Sequence, residues 1–198
     1  EIEAGRISMA SGGGDGGFGI RIVEDGRYGY AHLVDPSSAS RAIQQALSIA
    51  KRSPSIDGFE LPGNESAPKV GGMKDKAILD MGPEDLLEQG DQVLTRVTEL
   101  DSRAVAVGGG IGVGAGAGAL VTSSGIENGG VHTSHGIGIH VSIDEDEHLT
   151  SSYEGESSRS ILKDLTASVD KAVHWSQATR EKIPGGATED CPVLMTSG

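Results

Sequence analysis

The sequence predicts an α+β fold: a curved, mainly antiparallel sheet with about three helices packed on it. Two patterns carry the prediction. Runs of β-branched residues with alternating polarity are joined by Gly, Asp and Ser turns, and three longer segments repeat apolar residues at helical spacing. A third observation limits the core. Hydrophobic residues make up 36% of the 198 residues and aromatics only 3%, so Ile, Val, Leu and Ala must fill the interior.

The first elements form a meander. Ile7 to Met9 reads as a short strand, and Ser11 to Gly17 as a loop. Phe18 to Val23 alternates as strands do. Asp25-Gly26 is a hairpin signal, since a two-residue turn needs positive φ, and Tyr28 to Val34 returns. A helix follows, capped by Ser37 or Ser38. Ile43, Ala46, Leu47 and Ala50 make its apolar face, and Ser53-Pro54 ends it. Residues 54–75 hold three of the seven prolines and read as a connector. Pro83 begins a second helix, at a position where its missing N–H costs nothing. Leu86, Leu87, Val93, Leu94, Val97 and Leu100 form its buried stripe, interrupted by Gly90.

From Arg103 to about Tyr153 the pattern is β. As one strand, Ala104 to Thr122 would span roughly 60 Å at the usual rise, well beyond common lengths. A turn within Gly114 to Gly118 is therefore expected to interrupt it. Ser123-Ser124-Gly125 is another turn. Val131 to Ile143 is the clearest strand, with Ile137, Ile139, Val141 and Ile143 on one face. Asp144 to Glu147 makes an acidic hairpin tip, and His148 to Glu154 returns. A third helix is expected from Ser160 to Glu181, with Leu162, Leu165, Val169, Ala172, Val173 and Ser176 inward. Ile183-Pro184-Gly185-Gly186 breaks it, and Cys191 to Met195 opens a further strand.

Charge excludes some functions. The net charge is −13, which repels a phosphate backbone, and no Lys/Arg stripe offsets it, so direct nucleic-acid binding is not expected. Apolar runs are too short for a membrane span. Cys191 is the only cysteine, which suits a reducing cytoplasm.

The most unusual stretch is a glycine stripe. Gly108, Gly110, Gly112, Gly114, Gly116 and Gly118 alternate with Val, Ile and Ala, and Gly109 adds a seventh. Glycine in element interiors costs about 0.5–1 kcal/mol each, roughly 3.5–7 kcal/mol in sum, which rivals a domain's net stability. A face without side chains admits close approach by another backbone, ligand or partner. The readings are a docked peptide or partner, tight packing within the chain, or a loop. The stretch also satisfies G-x-G-x-x-G, but β-type residues follow where a dinucleotide site needs a helix.

Candidate chemistry is sparse. On a strand His132 and His140 share one face while His135 points to the other, so these three do not converge on a metal. The acidic tip lacks EF-hand spacing. Ser123 and Ser124 have no paired base, and there is no H-E-x-x-H, P-loop or nucleophile elbow. No catalytic residue and no metal ligand is expected in this chain.

The segment Gly17-Phe18-Gly19-Ile20-Arg21-Ile22-Val23-Glu24-Asp25-Gly26-Arg27-Tyr28-Gly29-Tyr30-Ala31 resembles the N-terminal signature of the TldD/PmbA (modulator of DNA gyrase) metalloprotease family. The helix bearing Ala42, Ala46 and Ala50 follows as in that family. Val121 to Glu127 is similar to its N-S-x-G turn, with Thr122 in place of Asn. Tyr153-Glu154 to Arg159, the helix after it, Ile183 to Gly186 and Cys191 to Leu194 resemble the passage into its C-terminal domain. The resemblance implies an N-terminal α+β domain over 1–188, lacking an upstream helix and strand, and the start of a truncated C-terminal domain over 189–198. It implies a cytoplasmic protease working as a homo- or hetero-dimer on peptides or unfolded protein. Its zinc would be held by a His-Glu-x-x-x-His helix in the missing C-terminal domain, where two histidines one turn apart can share a metal. The chain itself would carry no cofactor, contributing instead to the substrate chamber and subunit interface. The alternative is a stand-alone, non-enzymatic module whose glycine stripe docks a peptide or partner.

Overall fold

The computed structural model describes residues 1–59, 61–63, 68–145 and 148–179. In chain order the elements are β1 (Ile2–Glu3), β2 (Arg6–Ile7), β3 (Phe18–Glu24), β4 (Arg27–Leu33), α1 (Ala39–Ala50), α2 (Lys76–Leu79), α3 (Pro83–Leu100), β5 (Ala104–Val121), β6 (Glu127–Glu145), β7 (His148–Ser158) and α4 (Thr166–Ala178). Mixed helices with antiparallel strands make this the α+β fold that the sequence predicts. The chain divides into two compact units. One holds residues 1–10, 72–115 and 132 onward; the other holds 11–71 and 116–131.

In the second unit β3 and β4 form a hairpin in register from Phe18↔Leu33 to Glu24↔Arg27. The turn is Asp25-Gly26, with φ of +52° and +71°, as a two-residue hairpin turn of this kind requires. α1 packs on this hairpin. Its buried residues are Ala42, Ala46 and Ala50, whereas Ile43, expected inside, is 40% exposed. The cause is Gly29. A Cβ there would collide with the Ala46 carbonyl oxygen and lie 2.7 Å from Ala50 N. The helix backbone thus rests directly on β4, and only alanine fits along the contact. The cap also differs from expectation. Asp35, not a serine, accepts the Ser37 N–H at 2.9 Å at the start of a 3-10 turn over Pro36–Ser38 that leads into α1.

In the first unit the strand order is β2-β1-β5-β6-β7. β6 and β7 pair from His135↔Ser158 to Glu145↔His148. Ile137, Ile139, Val141 and Ile143 are all buried, against Val93 and Val97 of α3 and Val169, Ala172 and Val173 of α4. Fully burying each such aliphatic side chain contributes about 1.5–3 kcal/mol. Gly90 of α3 has a packing reason, since a Cβ there would lie 2.9 Å from Ile7 Cδ1. Leu87, placed in the stripe by spacing, is 40% exposed. α3 and α4 are also tied by Arg96, whose Nε and Nη2 donate to Asp170 at 2.8 and 3.1 Å. The ion pair is half-exposed, and such pairs stabilise by about 1 kcal/mol or less.

Two expectations are corrected here. No turn interrupts residues 114–118, because β5 is one strand of 18 residues. Its partner β6, at 19 residues, supplies the pairing that carries this length. The third helix begins at Thr166 rather than Ser160. The intervening amides are bonded elsewhere: Ile161 N–H donates to Asp75 and Leu162 N–H to His135. That helix also ends at Ala178 rather than 181; the break at 183–186 and the strand at 191–195 lie outside the described residues, as do tip residues 146 and 147.

Candidate functional site

The glycine stripe lies on β5, and the strand's pairing shows which way it faces. Ala104 and Ala106 are buried, so even positions point inward at the start. Farther on, buried Ile2 pairs with Gly109 and exposed Glu3 with Gly108, and Ile111 packs on the core. The inward set has therefore switched to odd positions, as an extra residue in a bulged strand brings about. Gly109 marks the switch with φ +135°, and a Cβ on it would collide with the Gly138 carbonyl oxygen. Around this point the register puts Gly108, Gly110 and Gly112 on the face turned away from this unit's core, whereas at 114–117 Gly114 and Gly116 are less exposed than Ala115 and Ala117.

Packing within the chain does not account for most of these glycines. A Cβ at Gly108, Gly112 or Gly118 would meet nothing within 4 Å, and at Gly110 only an ordinary contact of 3.6 Å with Glu1. At Gly114 it would approach the mobile end of Ser134 at 2.9 Å. On β6 the neighbouring glycine behaves differently: the Tyr153 ring lies across Gly138, where any Cβ would strike its hydroxyl. Val105, Val107 and Tyr153 are exposed at 41%, 39% and 67%.

A second constellation surrounds the start of β6. His135 is fully buried. Leu162 N–H donates to its Nδ1 at 3.0 Å, and its Nε2 lies 3.2 Å from Gln89 Oε1. An amide can only donate, so Nδ1 carries no proton, and Nε2 must be the N–H that reaches Gln89. Burial pushes the imidazole's pKa below the usual histidine value. Two residues earlier, buried Thr133 accepts from Asp75 N–H at 2.9 Å and donates to the Arg159 carbonyl at 2.7 Å. The Asp75 carboxylate accepts from Ile161 and Ala77 N–H, and those two bonds, in that order, hold its pKa down. Thr133 and His135 thus clamp the segment after β7 to the sheet. The sequence shows the alternation that puts His135 inward. Its partners, 46 and 27 residues away, have no spacing signal.

His132 is exposed and His140 half-buried, on the face opposite His135. Among the described residues no three His, Cys, Asp or Glu side chains gather as metal ligands. Ser124 Oγ donates to the Pro62 carbonyl at 2.7 Å and lies 2.8 Å from Thr122 Oγ1; these are turn bonds. Two open grooves of about 690 and 490 Å³ run along α3, bordered by Glu84, Glu88, Asp91 and Glu99 and by Asp80 and Asp85. No helix among the described residues is long and apolar enough to cross a membrane.

Residues 1–50 match the family described as PmbA/TldA metallopeptidase domain 1. The segment Gly17–Ala31 that carries the resemblance lies inside this match. Particular structures share the fold. TldE from Thermococcus kodakarensis is 23% identical, with a TM-score of 0.78 over 89% of this chain and 40% of that one. Proteins described as modulators of DNA gyrase from Bacteroides thetaiotaomicron and Thermotoga maritima are 19% and 10% identical, with TM-scores of 0.68 and 0.80. They align over 80% and 93% of this chain and 39% and 43% of theirs. The chain therefore spans about two-fifths of the length of these structures. No curated protein matches the sequence.

Proposed function

We propose that this chain is the N-terminal, non-catalytic domain of a TldD/PmbA-like metalloprotease that degrades or trims peptides in the cytoplasm. The match of residues 1–50 to a metallopeptidase first domain carries the reading. In it the domain helps to build a substrate chamber and a homo- or hetero-dimer interface. The glycines from Gly108 to Gly118 form a contact surface, and the open space at Gly108, Gly112 and Gly118 among the described residues supports that role. Zinc belongs to a C-terminal domain, with a His-Glu-x-x-x-His helix as its holder. The chain's own residues supply shape and contact, not acid–base chemistry.

The test compares two preparations. The full-length protein is expected to contain stoichiometric zinc by elemental analysis and to cleave unfolded peptides, with cleavage lost on chelation. Residues 1–198 alone are expected to do neither. Zinc bound stoichiometrically by residues 1–198 would overturn the assignment of sites. A full-length protein without zinc or peptidase activity that still binds peptides would favour the stand-alone binding module.

A further inference from the structure

We propose that His135 is a pH-sensitive latch: it holds the segment Arg159–Leu165 against β6 while neutral and releases it when the imidazole is protonated. The geometry leaves one protonation state compatible with the closed segment. Leu162 N–H fills Nδ1, so a proton added there would set two donors against each other. The ring is fully buried, so a charge would also have no water to solvate it. Gln89 can turn its amide, but a fixed backbone N–H cannot become an acceptor. Release of Leu162 is therefore the direct way to admit the proton.

The surrounding charges favour the same order of events. Charged residues on the elements packed around His135 include Asp75 and Lys76 at α2, Glu84, Asp85, Glu88 and Asp91 on α3, Glu156 on β7, and Arg159, Lys163 and Asp164 on the segment. Ser158 of β7, paired with His135, is neutral. Of these charged side chains, Asp75 bonds into the clamp, through Ile161 N–H. Its pKa is held below the usual carboxylate value, so Asp75 keeps its bond while His135 titrates. The segment then opens about Leu162 before it loses Ile161. Because Ile161, Asp85, Glu88 and Gln89 all line the 490 Å³ groove beside α3, the opening changes the wall of that groove.

The sign follows from linkage. The closed state binds the proton less well than the open one, so closure is fully favoured above the ordinary histidine pKa and is lost as pH falls below it. Hydrogen exchange of the full-length protein measured at pH 7.5 and pH 5.0, corrected for intrinsic exchange, tests this. Protection of a peptide spanning residues 159–165 is expected to fall about tenfold, while residues 137–143 in β6 keep theirs. In His135→Asn, whose Oδ1 can accept from Leu162, the pH dependence is expected to vanish. Equal loss in both peptides, or unchanged protection of 159–165, would overturn the latch. Ring nitrogen shifts of the wild type provide a check that needs no variant: an unprotonated Nδ1 at pH 7.5 is expected, and a protonated one would contradict it.

Discussion

Gly29→Ala is expected to destabilise the unit built from β3, β4 and α1 by about 3 kcal/mol, at the upper end of the usual cost of overpacking. The added Cβ meets backbone, not a side chain that can turn away. It would strike the Ala46 carbonyl oxygen and press on Ala50 N at 2.7 Å. Relief requires lifting α1 off the hairpin, which separates Ala42 and Ala46 from Ala31 and Leu33, the four buried members of that small core. Gly12→Ala is the control, since a Cβ there meets nothing within 4 Å. Urea denaturation followed by exchange of residues 39–50 would report the loss. A cost below about 1 kcal/mol would mean that the helix does not rest on Gly29.

Gly109→Ala is expected to cost about 2–6 kcal/mol, by two additive routes. A non-glycine residue at φ +135° carries strain of about 1–3 kcal/mol. Its Cβ would also run into the Gly138 carbonyl and lie 3.0 Å from Ile139 Cα, for a further ~1–3 kcal/mol. Ile139 is fully buried at the centre of the core, so the damage reaches beyond the strand. Thermal unfolding of the variant beside Gly112→Ala separates position from composition. Both replace a glycine of the same stripe, but the second meets open space and should be neutral or stabilising by up to about 1 kcal/mol.

These contrasts show which parts of the fold could be read in the sequence. Local chemistry was legible: the Asp25-Gly26 turn, Pro83 at the start of α3, and the alternation of Ile137 to Ile143 stand where spacing put them. Distant geometry was not. Ile43 looks like a core residue by periodicity, yet Gly29, on another element, admits only alanine at the contact. Residues 160–165 have helical spacing, yet Asp75 and His135, distant in sequence, hold Ile161 and Leu162 in a non-helical segment. The uninterrupted β5 followed the same rule, because its length depends on the long partner β6. The candidate site was half legible. The sequence showed a bare face on even positions, and the structure adds that Gly109 belongs to the other face and has a packing duty of its own.

The proposed role of the glycine face is contact with a neighbour outside these residues. The direct test is the assembled mass, by analytical ultracentrifugation, of the full-length protein carrying Gly108→Val and Gly112→Val. Among the described residues neither valine would meet another atom within 4 Å of its Cβ, and valine suits a strand, so folding should be kept. The account predicts that the variant folds with at least wild-type stability and sediments as a separated subunit. A variant that assembles like the wild type would contradict it.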